Sequence, residues 1–278
     1  MMYLVGGRGR LGRAVCASLP SHESMLLERS VYADWWRPGA ASLVERFFGA
    51  APSGSVVLVA AGLLDPALSA AEHHQINVDL PKRIIEGACR AGLRVVTCGT
   101  VMERLTRHPN PYIASKAELG RFAEERAAAG DAVLHLQIHT LYGAGAPAPF
   151  MFLGQLVDAL RHDRPFEMSP GRQLREYHHV EDEAIALRAL VDAGAMGIVP
   201  LSHGAPVTLA DLASHVFDVV GRPDLLRIGA RPEPPDDNYA TVLPRPSLIE
   251  QVDFRPALQG VAAYVQAQLS ESEPQQQA

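Results

Sequence analysis

The chain runs to 278 residues, 47% of them hydrophobic and 20% charged, which suits one α/β domain with a small additional lobe and a sizeable core. Its formal net charge of −6 leaves no general basic footprint, so nucleic acid is excluded as an expected partner and any anionic ligand has to be held by local basic residues. Cys16, Cys89 and Cys98 are odd in number and lack C-x-x-C spacing, which speaks against a disulfide framework or a zinc site. With no basic leader and no apolar run of ~18 residues, a cytoplasmic protein without a membrane span is expected.

Tyr3-Leu4-Val5 reads as a buried strand running into a glycine turn. Gly6, Gly9 and Gly12 form a G-x-x-G-x-x-G pattern, and Arg13 to Leu19 carries apolar residues at helical spacing. Glycines let the backbone turn tightly and approach a pyrophosphate, while the N–H groups and dipole of a helix N-terminus favour its negative charge. The turn Gly6, Gly9, Arg10, Leu11, Gly12 is therefore the expected phosphate site of a dinucleotide, NAD or NADP. Ser24 to Ser30 reads as a second strand ending in Glu28 and Arg29. Glu28 lies 22 positions beyond Gly6, near the ~20 at which an acid accepts hydrogen bonds from the adenosine ribose, whereas Arg29 would receive a 2′-phosphate; the pair leaves NAD against NADP open.

Trp35 to Phe48 reads as a short connection and a helix. The apolar run Ser55 to Val59 suits a strand buried on both faces, and Ala60, Ala61 and Gly62 at its end are small enough for a cofactor to lie against the backbone. Ile76 to Ala91 reads as helix, Leu93 to Cys98 as strand, Ala114 to Ala129 as a long helix and Ala132 to Ile138 as strand. Such alternation implies a Rossmann-type, doubly wound parallel sheet. Beyond it, proline and glycine thicken. A helix follows over Phe152 to Arg161 and another over Glu181 to Ala193, with a strand at Gly197 to Ser202 and a helix at Thr208 to Val220 capped by Thr208. The expected division is a dinucleotide-binding domain over 1–145 with 176–203 returning to it, a small substrate-binding lobe over 146–175 and 204–269, and a disordered tail over 270–278.

Tyr112-Ile113-Ala114-Ser115-Lys116 is a Y-x-x-x-K pattern at the start of the long helix, which puts both side chains on one face. An ammonium beside a phenol lowers its pKa from ~10 toward working pH and makes it a usable general acid or base. Joined to the glycine turn, the pattern resembles the short-chain dehydrogenase/reductase superfamily. The resemblance covers most of the chain and points to the extended branch of nucleotide-sugar epimerases, dehydratases and ketoreductases, with the early segments especially similar to dTDP-4-dehydrorhamnose reductases. It implies an adenine-side role for Asp34 and likens Asn77-Val78-Asp79 to a family helix. Gly99-Thr100-Val101-Met102-Glu103 resembles the family's G-(S/T)-x-x-E, and Arg175 to Asp182 its R-D-(Y/F)-x-H-V-x-D segment, whose arginine binds the nucleotide diphosphate.

The resemblance implies Thr100, Tyr112 and Lys116 as the catalytic set. Thr100 is preferred over Cys98 because a hydroxyl both donates and accepts well whereas a thiol is a weak donor. Glu103, Thr140 and Arg175 are the implied substrate contacts. Gln137 and Thr140 stand where the family commonly has Arg and Asn, and only twelve positions separate Thr100 from Tyr112. The expected function is NAD(P)-dependent hydride transfer at a keto or hydroxyl carbon of a nucleotide-activated sugar; the alternative is a non-catalytic NAD(P)-binding sensor. A homodimer is implied through the helices near Ile76 and Tyr112, which carry Ile84, Ile85, Leu119 and Phe122. No metal is expected, because in His73-His74 and His178-His179 adjacent histidines point in different directions and no carboxylate or cysteine spacing supports them.

Overall fold

The computed structural model describes residues 1–107 and 109–270. In chain order the elements are β1 (Met2–Val5), α1 (Arg10–Ala17), β2 (Ser24–Leu26), α2 (Arg29–Tyr32), α3 (Ala41–Phe48), β3 (Val56–Val59), α4 (Ala70–His74), α5 (Leu80–Arg90), β4 (Arg94–Thr100), α6 (Met102–Leu105), α7 (Pro111–Ala128) and β5 (Val133–Ile138). Then come β6 (Thr140–Tyr142), α8 (Phe152–Arg161), β7 (Phe166–Met168), β8 (Leu174–Arg175), β9 (Tyr177–His179), α9 (Val180–Asp192), β10 (Gly197–Leu201), β11 (Val207–Thr208), α10 (Leu209–Val220), β12 (Leu226–Ile228) and α11 (Ala257–Ser270).

Two compact units divide the chain. The first holds Met1–Ile138, Glu183–Leu201 and Pro246–Gln251, and the second His139–Asp182, Ser202–Arg245 and the chain from Val252 onward. The first is the expected doubly wound sheet: six strands in the order β10-β5-β4-β3-β1-β2, every neighbouring pair parallel. The order reverses at β1, with β2 on one side and β3 on the other, so the carboxyl ends of β1 and β3 flank the crevice where such sheets bind ligands. β5 is buried along its whole length, as a strand covered on both faces has to be. Val5, Val57, Val95 and Val133 of the strands form one core with Phe48 of α3, Ile84 and Ile85 of α5 and Leu119 of α7. Each such burial stabilises the fold by about 1.5–3 kcal/mol.

That core corrects the argument for a dimer. Ile84, Ile85 and Leu119 are fully buried, and Phe122 packs partly on the same core beneath Lys82, so these side chains fill the protomer's interior. Trp35 is likewise a core residue, edge-on to Phe47 and Phe48.

The second unit carries three two-stranded ribbons, β6 with β9, β7 with β12 and β8 with β11. Its core gathers Leu156 of α8, Val216 and Phe217 of α10 and Val261 and Val265 of α11 around Tyr142 and Phe166. Thr208 caps α10 as read from the sequence, its hydroxyl accepting the Asp211 N–H at 3.0 Å. The division falls at His139 instead of 146, and the returning stretch is 183–201 instead of 176–203, because β6 and β9 pair with each other and not with the large sheet. The expected tail lies, from 271 on, outside the described residues; Ser270 still belongs to α11. No helix among the described residues is long and apolar enough to cross a membrane.

Candidate functional site

β1 ends at Val5, and Gly6 turns the chain with φ +81, a left-handed conformation that disfavours any side chain. A Cβ on Gly6 would also lie 2.3 Å from the Ala61 nitrogen, because Ala60 and Ala61 both donate to the Val5 carbonyl and bring the ends of β1 and β3 together. Gly12 is as constrained, its would-be Cβ 2.5 Å from the Gly7 Cα. Gly9 differs: it sits at the N-cap of α1 in extended backbone (φ −70), and a Cβ there would meet only the Gly6 carbonyl, at 3.3 Å. Two of the glycines are thus needed for the turn itself, while the third leaves open the ground before the helix N-terminus that includes Arg10 and Leu11. This is a cradle that fits a pyrophosphate.

Glu28 stands at the N-cap of α2, just past β2, which is shorter than the sequence suggested because Arg29 already begins the helix. The Glu28 carboxylate accepts from Arg8 at 2.8 and 2.6 Å, and Asp34 accepts from Arg37 at 2.7 Å. Both acids are exposed.

The residues expected to be catalytic lie at the far side of β3. Asn110 caps α7 by accepting the Ile113 N–H at 2.9 Å, and Pro111 opens the helix, which fixes the first turn that carries Tyr112. One turn on, the buried Lys116 ammonium donates to the Cys98 carbonyl at 2.8 Å and lies 3.3 Å from where a Gly62 Cβ would be. Lys116 is thereby held on β4 beside the open space at Gly62. Thr100 closes β4 with its hydroxyl accepting the Met102 N–H at 3.3 Å.

The electrostatics differ from the sequence expectation. Burial pushes the Tyr112 phenol above its ordinary range, and Glu103 and Cys98 push the same way. Burial also pulls the Lys116 ammonium down, against the opposing pull of Cys98 and Glu103. Desolvation therefore outweighs the attraction that was to lower the phenol, and the neutral form of Tyr112 is favoured.

His73 and Asn77 support Tyr112, and sequence reading passed over the first of them. The His73 ring stands edge-on to Tyr112 at 6.2 Å. Asn77 interrupts the helical run in a single π turn, Gln75–Asp79, a device frequent at functional sites. Its amide oxygen accepts the Leu63 N–H at 2.8 Å, and its amide nitrogen faces the Leu63 carbonyl, Ser115 Oγ and His73 Nδ1 at 3.0, 3.0 and 3.3 Å. Ser115 in turn donates to the Tyr112 carbonyl at 2.7 Å. His74 points the other way, to Asp79 and Glu118.

Glu103 corrects another expectation. Its buried carboxylate accepts the Thr100 N–H at 2.6 Å and the Gln137 amide at 3.0 Å, and meets His135 Nε2 at 3.3 Å, while His135 Nδ1 meets Thr97 Oγ1 at 2.8 Å. Gly99 and Gly120 make the room: a Cβ on them would strike Glu103 at 2.1 and 2.7 Å. The Glu103 carboxylate is committed to protein donors and braces the end of β4.

In the second unit, Arg175 pairs with Asp237 at 2.5 Å and donates to the Leu174 carbonyl at 2.9 Å, so a diphosphate there would compete with a carboxylate. Thr140 begins β6, its N–H donating to the Glu176 carbonyl at 3.2 Å. The buried Glu176 carboxylate accepts from Ser202 Oγ at 2.5 Å, the His203 N–H at 2.7 Å, His178 Nε2 at 3.0 Å and the Gly204 N–H at 3.2 Å. Burial acts to raise its pKa, but the His178 hydrogen bond, His139 and Ser202 together bring it down to about 2. Burial lowers His139 to about 3 and lowers His203 as well. Glu176 is charged and these two imidazoles neutral at neutral pH.

The family model for the NAD dependent epimerase/dehydratase family matches residues 2–200. Among solved structures, the chain is similar to MoeE5 in complex with UDP-glucose and NAD (22% identity, TM-score 0.75, covering 98% of this chain and 99% of that one). It is also similar to the UDP-N-acetylglucosamine 4-epimerase from Methanobrevibacter ruminantium M1 in complex with UDP-N-acetylmuramic acid (16%, TM-score 0.73, covering 97% and 96%). A third is TunA, an NAD dependent NDP-hexosamine 5,6-dehydratase involved in tunicamycin biosynthesis (18%, TM-score 0.76, covering 98% of each). No curated protein matches the chain. At these identities the structural likeness is one of fold.

Proposed function

This chain belongs to the NAD dependent epimerase/dehydratase family, and from that premise we propose that it moves hydride between a nicotinamide dinucleotide and a carbon of a nucleotide-activated sugar. The observation that carries the reading is the placing of Lys116, whose ammonium donates to the Cys98 carbonyl and stands beside the space that the missing side chain of Gly62 leaves after β3. The glycine turn and Gly62 are gaps that side chains would fill, and they fit a dinucleotide laid along the ends of β1 and β3. Gly6, Gly9 and Gly12 would cradle its pyrophosphate, Glu28 its adenosine ribose, and Lys116 its nicotinamide ribose. When bound, the cofactor supplies the hydride acceptor or donor.

The protein's part is protonic and positional. Tyr112 would exchange a proton with the substrate oxygen while Thr100 holds that oxygen, and Arg175 would grip the diphosphate of the sugar nucleotide. In ketoreduction the phenol would give its proton to an oxygen that gains charge as the carbonyl is reduced. Ketoreduction of a nucleotide sugar is the reading that the likeness of the early segments to dTDP-4-dehydrorhamnose reductases supports; epimerisation would use the same phenol as base in its first half. The test incubates the protein with a panel of nucleotide sugars and their 4-keto derivatives, with and without NADH or NADPH. Stoichiometric loss of reduced cofactor on a 4-keto sugar is expected. Isomerisation without net loss would make it an epimerase, and binding without turnover on the whole panel would favour the sensor.

A further inference from the structure

The second unit holds a cluster that hydride transfer does not use. Glu176 and His178 come from the start and middle of one extended stretch, His139 from just before β6, and His203 from the loop after Leu201. Glu176, His178 and His203 each offer a ligand atom within 4.8 Å of the others. From Glu176 Oε2 the distances are 3.0 Å to His178 Nε2, 3.6 Å to His203 Nδ1 and 3.7 Å to His139 Nε2. Four ligands about 2.0–2.1 Å from a tetrahedral zinc ion stand about 3.3 Å from one another. Each of the three imidazoles thus stands from Glu176 Oε2 at close to the edge length of such a site.

Two further observations set this cluster apart from an ordinary buried hydrogen-bond network. His139 Nε2, in a side chain more than nine-tenths covered, aims at the carboxylate from 3.7 Å and is buried with no hydrogen-bond partner. A network built only for hydrogen bonding would satisfy it. The rings are also spaced as ligands of one ion would be, His139 to His178 at 5.2 Å and His178 to His203 at 4.8 Å between centroids. Outside them the supports of a metal site are in place: Ser202 Oγ and the Gly204 N–H hold Glu176 Oε1, and Phe254 closes over His178 and His203 at 4.9 and 5.6 Å.

We propose that Glu176, His178 and His203, with His139 as the fourth group, bind one divalent transition-metal ion, Zn²⁺ by its preference for imidazole and carboxylate in a closed tetrahedral set. The ion fastens three chain segments of the second unit. It acts beside Thr140 and Arg175, each one residue from a ligand, so it sets the backbone of both without taking part in hydride transfer. Binding through His203 Nδ1 gives up the Ala205 N–H hydrogen bond of 3.1 Å, while Nε2 has none to give up. The proposal stands apart from the assignment of the substrate.

Untagged protein, stripped with a chelator and dialysed, is titrated with ZnCl₂ by calorimetry and followed by thermal unfolding. One Zn²⁺ per chain and a rise in Tm of roughly 5 °C or more at saturating metal are expected. Co²⁺ loaded instead should show the intense visible bands of tetrahedral coordination. His203→Ala should lose stoichiometric binding, whereas His162→Ala, at an exposed position, should keep it. The proposal is overturned by absence of stoichiometric zinc, by a weak octahedral cobalt spectrum, or by a folded His203→Ala that binds zinc as the unaltered protein does. If that variant does not fold, the cobalt spectrum of the unaltered protein decides.

Discussion

The catalytic set of the first unit and the histidine cluster of the second are both buried polar constellations, yet they are assembled in opposite ways. Tyr112 and Lys116 stand one helical turn apart, and the turn that precedes them is fixed by its own cap at Asn110. Glu176 and His178 share one stretch, but His139 and His203 lie on two others, and the four meet only because β6 pairs with β9 and the loop after Leu201 folds onto Glu176. A site written in one turn of helix depends on local backbone. One gathered from several segments depends on the whole unit, and perturbing each should show that difference.

The largest effect is expected at the cofactor cradle. Gly9→Val should abolish binding of NADH and NADPH in calorimetry while leaving the thermal transition nearly in place, because a side chain at Gly9 meets little of the protein. Loss of the fold together with binding would show that Gly9, like Gly6 and Gly12, serves the turn and not the ligand.

Next comes Tyr112→Phe, which should cut turnover by ~10²-fold or more, as removal of a positioned acid does, with cofactor affinity unchanged. A Phe variant at full rate would take Tyr112 out of the mechanism.

Acid should separate the two regions. Glu176 has its folded pKa depressed from 4.5 to about 2, and His139 from 6.5 to about 3. Both carry more protons unfolded than folded across those windows. Their stabilisation is therefore complete above pH 6.5 and is lost as pH falls through 6.5 to about 3 for His139 and 4.5 to about 2 for Glu176. Urea titrations of the chelator-stripped protein from pH 7 to 3 should show stability falling, and His139→Phe should flatten the upper part of the decline. An unaltered slope in that variant would rule His139 out as its source.

The smallest structural effect belongs to the exposed Arg8–Glu28 pair. Glu28→Ala should change stability by less than about 1 kcal/mol, as surface ion pairs do, while shifting preference from NADH toward NADPH by several-fold. An unchanged cofactor ratio would mean that Glu28 lies away from the ribose.

The sequence by itself carried the doubly wound sheet, the glycine turn and the Tyr112, Lys116 pairing, because each rests on a short-range period: two for strands, 3.6 for helices, four positions for one turn. It also carried the cap of α10 at Thr208. What it could not carry was the direction in which a buried group's pKa moves, since that follows from how much water the fold removes around Tyr112 and Lys116. Nor did it show that Glu103 turns inward to His135 and Gln137, which requires Gly99 and Gly120 to make room from two different elements. Adjacent histidines do diverge as expected, His178 inward and His179 toward Tyr142. The inward one finds its companions 39 positions before it at His139 and 25 after it at His203. Only the tertiary structure decides such meetings, because contact between distant segments is set by strand pairing and loop closure, and no local spacing records it.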